Sequence, residues 1–245
     1  MSRPVGNLLR KLKLYDSAIT VLQLIETLQR SRKYHRYIRE HEIKKLQIGC
    51  GLNIMDDWLN TDVFITDRTI RDYRSTFLDA AKPFPFNEDT FDYVFCAHMI
   101  EHISWKEGLQ MLREAYRVLK PGGKIRVATP NIRSLMSLYN LNKDDIQQEY
   151  IQYSINLWLP EVAAYGLNDV TFVVNNFMRN WGHQFVYDPD ILQKSLQLAG
   201  FINYCSEKPG ESKDVHLQNI EYDQNHPHKD FYNLETMVLE AEKSL

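Results

Sequence analysis

From Lys44 onward, short apolar runs alternate with stretches whose apolar residues recur at helical spacing. The runs that read as strands are KLQIG (45–49), WLNTD (58–62), FDYVFC (91–96), KIRVAT (124–129), INYCSE (202–207) and TMVLEAEK (236–243), with STFLDA (75–80) a weaker seventh. The clearest helix runs from Ser104 to Leu119. Ser104 caps it with Glu107 three residues on, the capping-box spacing, and Leu109, Leu112, Ala115, Tyr116 and Leu119 form its inner stripe. KPGG (120–123) is expected to stop it. A second helix, Asp188 to Phe201, is stopped by Gly200. Strands alternating with helices predict βαβ units and a mostly parallel sheet.

Two stretches fall outside that alternation. The first is a helix from Asp16 to about Glu42, capped by Asp16 or Ser17. Ala18, Val21, Leu22, Ile25 and Leu28 form its apolar stripe, which is expected to pack while the charges face water. The second is the interval from Pro130 to Gly182, rich in helical pattern and too long for a simple connection. It reads as a helical insertion after a strand's C-terminal end, where α/β proteins place ligands. Its aromatics (Tyr139, Tyr150, Tyr153, Trp158, Tyr165, Phe172, Phe177, Trp181) are expected mostly to pack the insertion, with some free to line a substrate pocket. The expected organisation is a helical extension over 1–43 and one domain over 44–245, with 131–182 as insertion or lid.

Composition narrows the class. A 245-residue chain with 44% hydrophobic and 25% charged residues suits a soluble globular protein with one core. Three cysteines, Cys50, Cys96 and Cys205, fit a reducing compartment, and the expectation is a cytoplasmic protein with neither signal peptide nor membrane span. The net charge of −3 is unevenly placed: residues 1–45 carry eleven Lys/Arg against four Asp/Glu, a net +7, leaving −10 on the remainder. The basic, aromatic RSRKYHRYIRE (30–40) suits peripheral contact with an anionic membrane surface. It supports no nucleic-acid role.

The chemistry concentrates first at KKLQIGCGLNIMDDWLNTD (44–62). Gly49 and Gly51 follow an apolar strand, so the chain can turn sharply and bring its backbone close to a ligand. Asp62 ends the next strand, where a carboxylate can accept both hydroxyls of a ribose. The short interval between Gly51 and Trp58 admits one helical turn at most. A dinucleotide fingerprint is incomplete here, since Asn53 follows GCGL in place of a third glycine and no helix opens for a pyrophosphate.

With FLDAAKPFPFNEDTFDYVFCAHMIEH (77–102) and YRVLKPGGKIRVATPN (116–131) added, the chain resembles class I S-adenosylmethionine-dependent methyltransferases. It is most similar to the bacterial methyltransferase type 11-like branch with GCG, WxNxD and HxxEH motifs, over about residues 44 to 243. The resemblance implies a Rossmann-like sheet of seven mostly parallel strands, the last antiparallel. A helical insertion would follow the fifth strand; the sequence departs from the family's fold in lacking a full first helix, and the N-terminal helix is expected to cover that sheet face instead. It also implies roles. Gly49, Cys50 and Gly51 would wrap the methionine part of S-adenosylmethionine and Asp62 would take the ribose hydroxyls. Asp79 and the Ala80 backbone would meet the adenine edge, and His98 would lie under the ribose or sulfonium. Cys50 reads as a small buried filler and not a nucleophile.

HMIEH (98–102) places His98 three and four residues before Glu101 and His102, so that on a helix it would face both. His183 enters from the far end of the insertion. The leading expectation is no metal, with His98, Glu101, His102 and His183 as an alternative ligand set for a divalent ion; the set is similar to that of small-RNA 3′-end 2′-O-methyltransferases, except that His98 stands in place of a glutamate. The expected catalytic groups are His183 as general base, His102, and Asn131 at the pocket mouth, with Tyr187 as a further orienting group. The function expected is methyl transfer to oxygen or nitrogen of a small molecule or a sugar- or lipid-linked intermediate. A nicotinamide-dependent oxidoreductase and a non-catalytic binding module are the alternatives.

Overall fold

Seven strands, β1 (Lys45–Ile48), β2 (Leu59–Asp62), β3 (Ser75–Phe77), β4 (Phe91–Ala97), β5 (Leu119–Pro130), β6 (Ile202–Glu207) and β7 (Thr236–Glu242), align in the order β3-β2-β1-β4-β5-β7-β6. β1 to β5 are mutually parallel, and β7 runs antiparallel to both its neighbours. This is the expected Rossmann-like sheet of seven mostly parallel strands with the last antiparallel. The computed structural model describes residues 15–63, 72–221 and 228–245, apart from the side chains of 15–19, 22, 23 and 26.

Because a parallel sheet is covered on both faces, its strands are apolar almost continuously. Leu46 and Ile48 of β1, Val94, Phe95 and Cys96 of β4, and Ile125, Val127 and Ala128 of β5 are all buried. The covering helices include α1 (Tyr15–Glu40), α2 (Trp105–Val118) and α7 (Pro189–Ala199). α2 has the capping box read from Ser104 and Glu107, and α7 is capped by Asp188 and closed by Gly200 at φ 109°. Between β5 and α7 lie α3 (Ile132–Ser137), α4 (Asp145–Trp158), α5 (Pro160–Ala164) and α6 (Val170–Arg179), and α8 (Lys229–Glu235) precedes β7. The helices after β5 have a small core of their own, in which Leu135, Tyr150, Ile155, Val173 and Phe177 are buried together.

Three expectations are corrected. KPGG does not cap α2. The helix ends as Leu119 turns extended (φ −69°, ψ 142°), and the two glycines lie inside β5, where the β4 pairing slips between Phe91–Leu119 and Tyr93–Lys124. Leu119 therefore belongs to the strand. The second correction concerns α1: Val21, Ile25 and Leu28 of its stripe are exposed, at 55%, 38% and 73%. The helix is anchored further along, by Tyr34 and Tyr37, both buried, and by Lys33, whose Nζ donates to Ser75 O of β3 at 2.9 Å. Aromatic rings at the end of the helix bury more surface than the aliphatic stripe could on that short contact. Asp16 and Ser17 fall inside the first turn of α1; their side chains, like those of Ala18 and Leu22, lie outside the described residues.

The third correction is local. His98 does not sit on a helix. It takes a left-handed φ of 46°, and only Ile100–His102 form a single 3-10 turn.

At the far side of the sheet, Arg126 of β5 is fully buried. Its Nε donates to Glu221, its Nη1 to Glu240 of β7 and to the Glu211 carbonyl, and its Nη2 to the Lys208 carbonyl. Glu221 also accepts from Gly210 N at 2.9 Å, so one guanidinium ties residues 208–221 to the middle of the sheet.

Candidate active site

In a sheet whose strands run parallel, the C-terminal ends of β1, β2, β3, β4 and β5 share one edge, and the ligand crevice of such folds lies there. The GCG turn opens that edge. Gly49 N and Cys50 N both donate to Thr61 O, at 2.8 and 2.9 Å, pinning the turn to β2. Gly49 has φ 71° and Gly51 φ 52°, a region that favours glycine. Gly51 N donates to Asp62 Oδ2 at 2.8 Å, so the expected ribose carboxylate already stands beside the turn. A Cβ on Gly51 would meet no atom within 4 Å, which leaves room next to this pair for a ligand.

No helix forms in the short interval between Gly51 and β2, and Asn60 holds the loop that takes its place. Fully buried in β2, its Oδ1 accepts from Met55 N, and its Nδ2 lies 2.9–3.2 Å from the carbonyls of Met55, Trp58 and Arg74. The carboxamide replaces hydrogen bonds that a helix would have supplied. Tyr37 of α1 completes the support: its hydroxyl accepts from Lys45 N and lies 2.9 and 3.0 Å from the carbonyls of Lys45 and Asp57. The reading of the sequence assigned neither residue a role.

Cys50 is buried, and burial, then the Asp62 charge, pushes its thiol up to about 12; it is a filler, as expected. Gly49 is the tightest point. A Cβ there would lie 2.3 Å from Met99 Cγ and 2.6 Å from Met99 Cβ. Gly49→Ala is therefore expected to lose about 2 kcal/mol or more of stability, from overpacking plus the left-handed φ, in a urea melt. A melt within about 0.5 kcal/mol of the parent would show that the turn is not held against Met99 as described.

Asp79 and Ala80 lie just past β3, next to Asp62, whose carbonyl accepts from Leu78 N at 3.1 Å. Asp79 Oδ1 accepts from Ala81 N at 3.0 Å and so shapes its own turn, and Ala80 is buried. His98 follows β4 directly. Its N donates to Ala128 O, Nε2 pairs with Thr236 Oγ1 at 3.2 Å, and Nδ1 lies 3.5 Å from Glu101 Oε1. Burial disfavours a charge on this ring, but Glu101, with Glu235 and Glu221 beyond it, outweighs burial and raises its pKa above the usual imidazole value.

Glu101 is fully buried, and its Oε2 accepts from Thr129 Oγ1 at 3.0 Å. Burial raises its pKa and the His98 contact overrides this, so the carboxyl is held below its ordinary range. The Glu101 carbonyl accepts from Gln184 N (2.8 Å) and Phe185 N (3.2 Å), and the His102 carbonyl accepts from Gln184 Nε2. These bonds stitch the HMIEH turn to the end of the insertion. Trp181 and Gly182, both with positive φ, turn the chain back after α6, and His183 arrives against His102 with ring centroids 4.8 Å apart. His183 Nδ1 is 2.7 Å from Phe177 O. A carbonyl only accepts, so Nδ1 carries the proton and Nε2 keeps its lone pair. Burial lowers the pKa of this ring and favours the neutral form.

His98, Glu101, His102 and His183 thus line one cavity of about 220 Å³, with Trp158, Phe177 and Trp181 as its aromatic wall. Glu235, which no motif singled out, closes it. Burial raises the pKa of Glu235, and its Oε2 accepts from Tyr150 OH at 2.6 Å. Asn131 stands next to the cavity residue Pro130, but its side-chain oxygen caps α3 by accepting from Arg133 N, and its N donates to the Glu235 carbonyl. Tyr187 is corrected: it is fully buried in the main core beside Gly108 and does not line the cavity.

The profile of a methyltransferase domain family matches residues 46–127, which span β1 to the middle of β5 and include the GCG turn, Asp62 and HMIEH. Two curated relatives are ubiquinone/menaquinone biosynthesis C-methyltransferases. The one from Pasteurella multocida is 28% identical over 137 residues, covering 53% of this chain and 44% of the relative. The one from Haemophilus ducreyi is 30% identical over 134 residues, covering 53% and 46%. The match spans less than half the length of either. Among solved structures, an S-adenosylmethionine-dependent methyltransferase from Archaeoglobus fulgidus is 18% identical, with a TM-score of 0.49 over 91% of this chain and 94% of that one. Residues 46–127 are thus matched as a methyltransferase domain and supply β1 to β4 and most of β5 of the seven-stranded mixed sheet.

Proposed function

We propose that the chain is an S-adenosylmethionine-dependent methyltransferase that methylates oxygen or nitrogen of a small molecule or of a sugar- or lipid-linked intermediate. The observation that carries this reading is the Gly51 N–Asp62 Oδ2 pair on a turn with open space beside Gly51, inside the matched segment. The donor set suits the cofactor. Backbone groups of Gly49, Cys50 and Gly51 would hold the methionine end, the Asp62 carboxylate the ribose hydroxyls, and Asp79 with Ala80 the adenine edge, while His98 would form a wall. When bound, S-adenosylmethionine supplies a methyl group on a sulfonium, with a neutral thioether as leaving group. The protein's share is then mostly positioning. The aromatic wall holds the acceptor, and His183 Nε2 is the candidate for receiving its proton, with His102 beside it.

A thermal melt tests the reading. At about 100 times its dissociation constant a ligand that binds only the folded state stabilises it by about 2.7 kcal/mol. S-adenosylhomocysteine is expected to raise Tm and NAD and NADP are not; a shift with a dinucleotide alone would favour an oxidoreductase.

The acceptor class also bears on α1. Among the described residues no helix is long and apolar enough to cross a membrane. Val21, Leu24, Ile25 and Leu28 are nonetheless exposed, on a segment where residues 1–45 carry +7. This supports peripheral contact with an anionic membrane, which would bring a lipid-linked acceptor to the cavity. Co-sedimentation with vesicles containing phosphatidylserine is expected, weakening as salt rises and reduced by Leu24→Glu/Leu28→Glu. Equal recovery with neutral vesicles at all salt concentrations would contradict it.

A further inference from the structure

Glu101, His102 and His183 each bring one donor atom to within 4.8 Å of the others. We propose that these three side chains bind a divalent first-row transition-metal ion whose open positions face the aromatic cavity. Glu101 Oε1 is buried, accepts no hydrogen bond within the geometric limits, and lies 3.5 Å from His98 Nδ1 in an ion-pair contact. At that distance His98 compensates this oxygen without a hydrogen bond, and a cation on the cavity side gives it a direct partner.

The surrounding groups are those that orient ligands. The Phe177 carbonyl fixes the tautomer of His183 and leaves Nε2 to bind, and Thr129 Oγ1 holds the other oxygen of Glu101. Gln184 N and Phe185 N, bonded to the Glu101 carbonyl, keep His183 in register with the HMIEH turn. His98 is not a ligand in this arrangement, because its Nε2 is turned to Thr236 and its Nδ1 to Glu101. With metal–ligand bonds of about 2.1 Å, donors sit about 3–4.2 Å apart. From the 4.8 Å limit, loading the ion therefore requires the widest pair of donors to close by up to about 0.6–1.8 Å.

Two imidazoles and a carboxylate leave coordination positions for oxygen ligands. This deepens the methyltransferase reading and rests on it for the acceptor. With the ion bound, His183 Nε2 would be a ligand in place of the proton acceptor named above, and an acceptor hydroxyl bound to the ion would give up its proton to water more readily. The substrate class is accordingly an alcohol, phenol or diol.

The test is calorimetric titration of the tag-free, chelator-treated chain with MnCl₂ and with ZnCl₂. One ion per chain is expected. Binding should be at least tenfold weaker in His102→Ala and in His183→Ala, whose half-buried rings can be removed without opening the core, and unchanged in His35→Ala. Circular dichroism and melting checks that each variant is folded. No saturable binding, or one ion bound equally by both variants, overturns the proposal. S-adenosylmethionine titrated into the same samples separates the two readings. Cofactor binding without metal binding overturns only the ion site, and metal binding without cofactor binding supports the ion site while removing the methyltransferase reading.

Discussion

Arg126→Met is expected to destabilise the fold by about 3–5 kcal/mol, the usual effect of removing one partner from a buried ion pair. The side chains of Arg126 and Glu221 are wholly inaccessible and that of Glu240 is 11% exposed. Methionine fills much of the space but leaves two carboxylates facing each other without a cation. It also strips the Glu211 and Lys208 carbonyls of their donor. Arg126 pairs with Glu240 in the β5–β7 register, and Glu221 is held by Gly210 N, so the loss should loosen residues 208–221 together with the sheet centre. A triple variant, Arg126→Met/Glu221→Leu/Glu240→Leu, should recover much of the stability, because an apolar replacement removes the uncompensated charges. Urea melts of both decide it. A single variant within about 1 kcal/mol of the parent would mean that water reaches this network.

Where the sequence carried a local signal, the structure follows it. INYCSE is β6 to the residue, and Ser104 with Glu107 makes the capping box, because each needs only neighbours in the chain. The GCG turn and Asp62 were legible for the same reason: positive φ and a strand-end carboxylate are local demands. Signals that depend on distant partners were lost. Nothing in KPGG says that Lys243, just past β7, will pair with Gly122 and Gly123 and extend the strand, and nothing in the α1 stripe says that Tyr34 and Tyr37 will take the burial. The site divides in the same way. The nearness of His98 and Glu101 is written in HMIEH, although on a left-handed residue and a 3-10 turn and not on a helix. The meeting of His183 with His102 depends on backbone bonds from 184 and 185 to 101, which have no sequence pattern. Thr129 and Glu235 carry no motif, and Asn60 stood in plain view within WLNTD without its loop-holding role being apparent.

Asp62→Ala is expected to weaken S-adenosylmethionine binding by about tenfold to a hundredfold. Hydrogen bonds to a charged group contribute about 1.5–3 kcal/mol, and each 1.4 kcal/mol is a factor of ten. Two effects combine. The ribose loses its carboxylate, and Gly51 N loses the acceptor that holds it at 2.8 Å, so the turn that should grip the methionine end is freed. Asp62→Asn keeps an oxygen for Gly51 N and gives up the charge, and should fall between. Because Asp62 ends its strand at the open edge and is only half-buried, thermal stability without ligand should change little.

The most direct measurement is therefore calorimetric titration of S-adenosylmethionine into the parent chain, Asp62→Asn and Asp62→Ala. Saturable binding at one site, weakening in that order while the unliganded melts stay together, is the predicted result. Absence of binding by the parent chain, or equal affinity in all three, would contradict the assignment of this turn to the methyl donor.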